Sequence, residues 1–396
     1  MDYAATTPVD PIVKKAILPY FDEKFGNPGS LHSFGQEAIK AVDESREKIA
    51  KAIGADFQEI IFTGSATEAN NLALRGAIKT AQLFSDETGR SYRIIVNEIE
   101  HESILDTCRD LGKTCPELAE GKGVEIIYLP VNKQGIVDLK KLKESLNDRT
   151  ILVSIMYANN EIGTIQPIAE IAKIIDEFKK EPSRIYPLFH TDAVQAFQFL
   201  DCDVDKLGVD LMTLSAHKIY GQKGIGLLYA RALSPKPHTL SPIITGGGQE
   251  FGLRSGTENV PAIIGFAKAI ELISNSRELE NKRVKQLTDY FWQKIKKIYP
   301  KVEINGASDA KKLPNILNIY FPNCRADDML IKLDLNGIAV SSGSACSARA
   351  MKPSYVLKAI GLTDQKIKSS LRFSLGKFTT KKEINETIKR LKEIFF

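Results

Sequence analysis

The sequence predicts an α/β protein in which a large, mainly parallel sheet is joined by a smaller α+β domain. Up to about Gly256, short β-rich runs that end in polar or glycine residues alternate with helical stretches, which is typical of parallel strands with helices on the faces of the sheet. Beyond that point come one long helical stretch, a few strand-like runs and a final helix. Because a chain of 396 residues exceeds the usual size of one core, two domains are expected.

The elements of the larger domain follow in a regular order. Apolar residues at helical spacing predict helices over 35–54, 66–82 and 167–181. The β-rich runs occupy 58–64, 92–103, 123–131, 150–163, 186–195, 209–221 and 224–232. Because sites in such sheets form at strand ends, the polar residues that close these runs are the candidate functional residues.

The C-terminal part predicts the second domain. A helix is expected over 261–300 and another over 381–395, with strand-like runs at 315–322, 337–342 and 369–376. We predict that residues 15–257 form the large domain and that residues 258–396 form the small one. The N-terminal segment 1–14 is assigned to the small domain.

Composition and charge exclude several classes of protein. The net charge of +5 is spread over the chain without long basic runs, so no direct nucleic-acid binding is expected. No apolar stretch is long enough to span a bilayer, and the N-terminal MDYAATTPVDP lacks the features of a signal peptide, so a cytoplasmic protein without membrane contact is expected. Five irregularly spaced cysteines without a C-x-x-C pair argue against disulfides or a zinc site.

One cysteine stands out by its surroundings. Cys346 lies in SSGSACSARA, where serine, glycine and alanine predict a loop. A cysteine that merely packs is usually buried, so this composition suggests an exposed, movable thiol, although an incidental cysteine in a loop fits the local sequence too. Residues elsewhere in the chain must distinguish a reactive thiol from an incidental one.

Lys218 lies within LSAHKIYGQKGIG, at the point where a strand ends and a glycine-rich turn begins. Small neighbours allow a ligand to approach, and Ser215 and His217 offer hydrogen bonds. A lysine in this setting can form a Schiff base. Taken alone, the string fits a surface lysine as well.

Other polar residues follow strand ends. Asp192, with Gln195 behind it, can pair with the ring nitrogen of pyridoxal phosphate (PLP), or cap a helix. The turn in FTGSATEANN offers backbone N–H groups with Ser65 and Thr67 for a phosphate. His101 could stack on a planar cofactor or cap a helix. Individually these are weak signals, but together they describe one PLP site at one sheet edge.

At this point the chain resembles the NifS/IscS-type cysteine desulfurases over essentially its full length. The motifs that carry the resemblance are DYAATTPVDP, GNPGSLHSFG, FTGSATEANNLALRG, YANNEIGTIQPI, HTDAVQ, SAHKIYGQKGIG, GGGQEFGLRSGTEN, SSGSACSA, PSYVLKAIGL and SSLRFSLGKFT. The resemblance implies the PLP-dependent transferase (aspartate aminotransferase-like) fold, and SSGSAC resembles the group with a longer, mobile cysteine loop.

The resemblance also implies roles for individual residues. Lys218 would carry PLP as a Schiff base, Asp192 would pair with the pyridine nitrogen and Gln195 with the ring hydroxyl. His101 would stack on the ring and move a proton. The phosphate would be held by Ala66, Thr67, Ser215, His217 and, from the neighbouring subunit of a homodimer, Thr257. Asn160, also counted among the cofactor residues, and Arg372 would take the substrate carboxylate.

The expected reaction converts L-cysteine to L-alanine and leaves a persulfide on Cys346. The sulfur would pass to an iron-sulfur scaffold protein or a tRNA-thiolation acceptor, with Cys346 as a transient iron-sulfur ligand and no resident metal. Three alternatives stay open on the sequence: selenocysteine or cysteine sulfinate as substrate, an ordinary class V aminotransferase, and a PLP-free iron-sulfur scaffold.

Overall fold

The computed structural model describes residues 1–84, 91–113, 123–180, 184–232, 240–307, 311–343 and 353–395. Within these ranges a seven-stranded sheet has the strand order β1-β7-β6-β5-β4-β2-β3. The strands are β1 (Ile60–Thr63), β2 (Tyr92–Asn97), β3 (Val124–Leu129), β4 (Thr150–Ser154), β5 (Leu188–Asp192), β6 (Leu211–Ser215) and β7 (Gly226–Ala230). Strands β2 to β6 pair in parallel, whereas β7 is antiparallel to both β6 and β1. The predicted mainly parallel sheet is confirmed.

The continuous apolar runs of the sequence become strands that are covered on both faces. Every residue of β4, β5 and β6 is buried, which explains why these strands show no alternation of apolar and polar residues. The helices that accompany the sheet are α1 (Pro11–Ile17), α2 (Ser33–Ile53), α3 (Ala66–Phe84), α4 (Glu102–Lys113), α5 (Leu139–Ser145), α6 (Ile168–Lys179) and α7 (Val204–Leu207). The predicted helices at 35–54, 66–82 and 167–181 correspond to α2, α3 and α6.

A single long helix, α8 (Val260–Ile298), links the large sheet to the smaller one. Near its start Gly265 lies against Ile17 of α1, and farther along Phe291 packs edge-on against Phe373 of the small sheet. The small sheet has the order β10-β9-β8 and is antiparallel, with strands β8 (Glu303–Ile304), β9 (Ile316–Tyr320) and β10 (Ser370–Ser374). Its helices are α9 (Ala326–Asp334), α10 (Tyr355–Ala359), α11 (Asp364–Ile367) and α12 (Lys381–Phe395). The domain boundaries at residues 14 and 257 remain a prediction.

One strand-like run differs from expectation. Residues 337–342 contribute only a single bridge, between Ser341 and Arg372 of β10. The same edge of β10 is also taken by Asp2, which bridges to Ser374. Because two short segments share this edge, neither can extend along it, and the run over 337–342 does not form a strand.

In the part of the chain that the structure describes, no helix is long and apolar enough to cross a membrane. Among the same residues no group of three or more His, Cys, Asp or Glu side chains is arranged to hold a metal ion.

Candidate active site

The candidate residues gather where the parallel strands of the large sheet end. Asp192 is the last residue of β5, and Ser215 is the last residue of the neighbouring strand β6. Lys218 follows Ser215 in a short 3-10 turn, Ala216–Lys218. Because β5 and β6 are parallel neighbours, their ends bring these groups to one edge of the sheet.

The N-terminal segment joins Lys218 to Gln195. The Lys218 ammonium donates to the carbonyl oxygens of Ala4 and Ala5, at 2.7 Å each. Gln195 Nε2 donates to the same Ala4 oxygen at 2.9 Å. Two side chains that are 23 positions apart in sequence thus share one acceptor, and Ala4 is placed there by a hydrogen bond from its N–H to Ser374 Oγ of β10 at 2.9 Å.

Asp192 is buried and hydrogen-bonded on both oxygens. Its Oδ1 accepts from the backbone N–H of Val194 at 3.0 Å, and its Oδ2 accepts from Asn70 Nδ2 of α3 at 2.9 Å. Only 7% of the residue is exposed. The carboxylate is therefore held in a fixed orientation at the strand end.

His101 directly precedes α4 and acts as its cap. Its backbone oxygen accepts from the N–H groups of Ile104 and Leu105, at 2.8 and 3.1 Å. Its Nδ1 lies 2.8 Å from Ser103 Oγ and accepts from the Ser103 backbone N–H at 3.1 Å. The helix-capping role that the sequence left open is confirmed, while the stacking role stays a prediction.

The turn before α3 has the form expected of a phosphate cradle. Ser65 Oγ accepts from the N–H of Glu68 at 3.1 Å, which caps the helix and leaves the Ala66 and Thr67 N–H groups in its first turn. Gly226 of β7 lies directly behind the turn, because a Cβ placed there would come within 2.6 Å of Ala66 N. A glycine at 226 is therefore required for the strand to approach the start of this helix so closely.

Ser215 and His217 are the two predicted site residues that stand beside Lys218 in the sequence. The Ser215 hydroxyl is buried and has no hydrogen-bond partner among the described residues. His217 Nδ1 lies 3.1 Å from Thr6 Oγ1. Burial, reinforced by the charges of Lys218 and Lys223, lowers the pKa of His217 to about 4, so the imidazole is neutral near pH 7.

Arg372 of β10 is a buried cation, with 1% of the residue exposed. One arm of its guanidinium donates to the backbone oxygen of Asn160 at 2.9 Å, and the other donates to the Asp2 carboxylate at 2.8 Å. The structure thus brings together Asn160 and Arg372, which the sequence predicted as the carboxylate site. Asp2 was not predicted, and it shows that this guanidinium accommodates a carboxylate.

Thr257 lies near the turn that precedes α3. It is exposed, and with Gly64 and Arg254 it lines a cavity of about 240 Å³. Arg254 donates to Glu68 of α3 at 2.8 Å, which fixes this loop against the helix start. Within one chain Thr257 is therefore close to the turn at 64–67, and its assignment to a neighbouring subunit stays a prediction.

Cys346 lies outside the described residues, but the positions that flank it are placed. A Cβ built on Gly343 would lie 3.5 Å from Ser354 Cβ and 3.6 Å from Glu161 Oε2. Ser354 Oγ donates to the same Glu161 oxygen at 2.6 Å and caps α10. Residues 343 and 354 therefore lie close to each other and to the buried carboxyl group of Glu161.

Three residues near the site, Glu161, Asn70 and Ser103, were not predicted from the sequence. Burial raises the pKa of Glu161, which favours its neutral form. Its position in the NNE motif beside Asn160 could have drawn attention to it. Asn70 and Ser103, which lie between Asp192 and His101, gave no such signal, because Asn70 looks like an ordinary polar residue of a helix and Ser103 like the polar end of a β-rich run.

The other described thiols are poor nucleophiles. Burial raises the pKa of Cys108 and of Cys202 to about 12, and it raises the pKa of Cys324 as well. Each therefore remains a neutral thiol near pH 7, and a thiolate is what sulfur chemistry requires.

The residues present fit a PLP group. The orphaned Ser215 hydroxyl needs an acceptor, which a phosphate oxygen would supply. The first turn of α3 offers N–H groups at the same edge, and Asp192 offers a carboxylate for a protonated ring nitrogen. Lys218 stands in the turn beside Ser215 as the amine for a carbonyl cofactor.

The chain is similar to known proteins over nearly its whole length. The model of the aminotransferase class-V family matches residues 1–386. The cysteine desulfurase IscS of Dictyoglomus turgidum is 46% identical over 394 residues, which cover 100% of this chain and 93% of the relative.

Solved structures give the same result. A NifS-like protein is similar with a TM-score of 0.86 and 36% identity, covering 100% of this chain and 98% of the other. SspA in complex with cysteine has a TM-score of 0.78 and 35% identity, covering 96% and 99%. The chain belongs to the class-V aminotransferase family and, within it, to the cysteine desulfurases of the NifS/IscS type.

Proposed function

We propose that the protein is a PLP-dependent cysteine desulfurase that converts L-cysteine to L-alanine and leaves the sulfur as a persulfide on Cys346. The observation that carries the proposal is the meeting of Lys218, Asp192 and Ser215 at one sheet edge, in a chain of this family. An ordinary aminotransferase would need the same edge but no thiol. The SSGSAC motif therefore favours the desulfurase.

Cofactor binding would use the groups described above. Ala66, Thr67, Ser215 and His217 would hold the phosphate, and Thr257 would add a contact from a second subunit. Asp192 would keep a proton on the ring nitrogen, Gln195 would bind the ring hydroxyl and His101 would cover the ring face. Bound PLP supplies the electron sink that permits proton removal from the substrate carbon.

Substrate binding would rely on Arg372 and Asn160. The planar guanidinium suits a carboxylate, and it is already desolvated and oriented by the Asn160 oxygen. The substrate carboxylate would replace or share the position of the Asp2 carboxylate at Nη2. Lys218 Nζ would act as the base that takes the α-proton of the substrate.

The sulfur step would be carried out by Cys346. Its thiolate attacks the substrate sulfur, an S–S bond forms and the C–S bond of cysteine breaks. The enzyme keeps one sulfur as a persulfide, and the carbon skeleton takes up a proton and leaves as alanine. A thiol and cysteine thus yield a persulfide and alanine, with no added oxidant or reductant.

A homodimer is part of the proposal. Phe21, Phe25, Leu31 and Phe34, here called the N-terminal patch, expose 62%, 66%, 91% and 49% of their surfaces. Phe25 and Phe34 stack with ring centroids 5.4 Å apart. Such a cluster is best explained by a partner that covers it, and a second copy would also supply Thr257. The persulfide would then pass, in the cytoplasm, to an iron-sulfur scaffold protein or a tRNA-thiolation acceptor, with Cys346 as a transient cluster ligand.

The proposal is tested with purified protein, L-cysteine and PLP. The wild-type protein should release alanine without any keto acid, and Cys346→Ser should keep bound PLP but lose alanine formation from cysteine. Cys324→Ser is the matched control and should behave like wild type, because this half-buried thiol has a raised pKa. Alanine formation that survives in Cys346→Ser would contradict the proposal.

Two further assays separate the alternatives. Borohydride reduction should fix PLP on Lys218, and trapping on another lysine would overturn that assignment. If selenocysteine or cysteine sulfinate were the true substrate, its turnover would exceed that of cysteine and survive in Cys346→Ser.

A further inference from the structure

Two polar side chains without a role in the proposed reaction, Asn70 and Ser103, lie between Asp192 and His101. Asn70 stands near the start of α3 with 1% of its surface exposed, and Ser103 is half-buried in the first turn of α4. Asn70 Nδ2 donates to Asp192 Oδ2 and to Ser103 Oγ, at 2.9 Å each, and Ser103 Oγ lies 2.8 Å from His101 Nδ1. The four side chains form one continuous hydrogen-bonded chain.

Donor and acceptor chemistry fixes the direction of each bond. An ionised Asp192 offers only acceptor oxygens, so the Asn70 nitrogen must face it, and the second hydrogen of that nitrogen points to Ser103 Oγ. The Ser103 backbone N–H can only donate, and it lies 3.1 Å from His101 Nδ1. His101 Nδ1 is therefore an acceptor, and the neutral imidazole carries its proton on Nε2.

The remaining hydrogen completes the chain. Because His101 Nδ1 carries no hydrogen, the Ser103 hydroxyl donates its own hydrogen to Nδ1, while one of its lone pairs accepts from Asn70. In the opposite tautomer, the hydrogen on His101 Nδ1 would point at the Ser103 backbone N–H, and two donors would face each other. Only one proton arrangement thus gives each of these hydrogen bonds one donor and one acceptor. The amide oxygen of Asn70 takes no part in them, because it is buried and has no hydrogen-bond partner among the described residues.

We propose that Asn70 and Ser103 are positioning residues that hold the Asp192 carboxylate and the His101 imidazole in one coupled unit, with the His101 proton on Nε2. The inference rests on the proposed function of this site. In this proposal, Asn70 and Ser103 align two groups that would act on the same cofactor. Asp192 would act at the ring nitrogen, and His101 would act on the ring face. Neither residue itself touches substrate or cofactor in this account.

A double-mutant cycle on the full-length, PLP-loaded protein tests the coupling. The variants are Asn70→Ala, Ser103→Ala and the double variant, with Ser103→Thr as the conservative replacement that keeps the hydroxyl. Asn71→Ala is the matched control on the same helix, because its side chain bonds Arg75, Thr107 and the backbone oxygen of Thr67 but neither Asp192 nor Ser103. The readouts are the dissociation constant of PLP, the absorption spectrum without substrate, and kcat/KM for L-cysteine.

Each single alanine variant should lower kcat/KM about tenfold, because each breaks the hydrogen-bonded chain between Asp192 and His101. The double variant should resemble Asn70→Ala alone, since the chain is already broken there. Asn70→Ala should also weaken PLP binding several-fold, to order of magnitude, and alter the spectrum, because Asp192 loses a donor. Ser103→Thr should restore wild-type values, and Asn71→Ala should not change PLP binding or the spectrum.

Three results would overturn the proposal: effects that multiply in the double variant, a PLP affinity of Asn70→Ala equal to that of Asn71→Ala, or equal activity of Ser103→Ala and wild type. If Asn70→Ala does not fold, as judged by circular dichroism, the comparison of Ser103→Ala with Ser103→Thr decides alone. A wild-type protein that forms no persulfide would defeat the proposed function instead, so the two failures are distinguishable.

Discussion

Ser215 is a buried residue whose hydroxyl is explained by a bound group and not by its protein neighbours. It is 3% exposed, and its hydroxyl has no hydrogen-bond partner among the described residues. A buried hydroxyl without a partner costs about 1–3 kcal/mol, so folding alone gives no reason to keep it. A bound phosphate would give it an acceptor.

Replacement of Ser215 by alanine should therefore separate stability from cofactor affinity. The cofactor-free Ser215→Ala protein should melt at the same or a slightly higher temperature than wild type, while its dissociation constant for PLP should rise about tenfold. Calorimetry and a PLP titration measure the two quantities. Ser45→Ala is the matched control, because that buried hydroxyl donates to Ala41 at 2.7 Å and should lose stability only. A large loss of stability in cofactor-free Ser215→Ala would contradict this account.

At the scale of elements, His190 links the three central strands of the sheet. Its Nδ1 lies 2.8 Å from Ser154 Oγ of β4, and its Nε2 lies 3.1 Å from Thr213 Oγ1 of β6. Burial lowers the pKa of His190 from 6.5 to about 3. The folded protein thus keeps this imidazole neutral at pH values where the unfolded chain would protonate it.

The sign of the pH effect follows from linkage. Between pH 6.5 and 3 the unfolded state binds the extra proton, so the stability contributed by His190 is present above pH 6.5 and is lost as the pH falls. From pH 7 to pH 5 wild type should lose about 2 kcal/mol more than His190→Gln, by the 1.36 kcal/mol per pH unit of such a group. Chemical unfolding of both proteins at the two pH values measures the difference. Equal losses in the two proteins would show that His190 titrates normally.

Elements that are fixed by their local sequence could be predicted, whereas an element that depends on contacts with distant residues could not. The buried strands β4 to β6 were predictable, because residues covered on both faces leave continuous apolar runs. Asp192 and Lys218 were predictable as strand-end residues. The run over 337–342 was not, because its fate is decided by competition with Asp2 for one edge of β10.

Pairings between distant residues were also out of reach. The contact of Arg372 with Asp2 joins the two ends of the chain, and no local pattern in either segment announces it. Asn70 and Ser103 belong to two separate helices, and only the fold reveals that their side chains meet. The raised pKa of Glu161 follows from burial, which the sequence does not show.

On the scale of the whole molecule, the N-terminal patch predicts a dimer. Wild type should sediment with twice the mass of the chain, and the double variant Phe25→Asp with Leu31→Asp should sediment as a monomer, because charges in the patch oppose its burial. Leu279→Asp is the matched control, since Leu279 is 71% exposed on α8 outside the patch. Analytical ultracentrifugation distinguishes the species. A double variant that remains dimeric would place the interface elsewhere.

The central claim is that one thiol receives the sulfur of cysteine at a site built around Lys218. The most direct measurement is mass spectrometry of the protein after reaction with L-cysteine, alkylation and digestion. We predict one additional sulfur on the peptide that contains Cys346 in wild type, and no such sulfur in Lys218→Ala. An additional sulfur on Cys108, Cys202 or Cys324 in its place, or one on Cys346 in Lys218→Ala, would contradict the account.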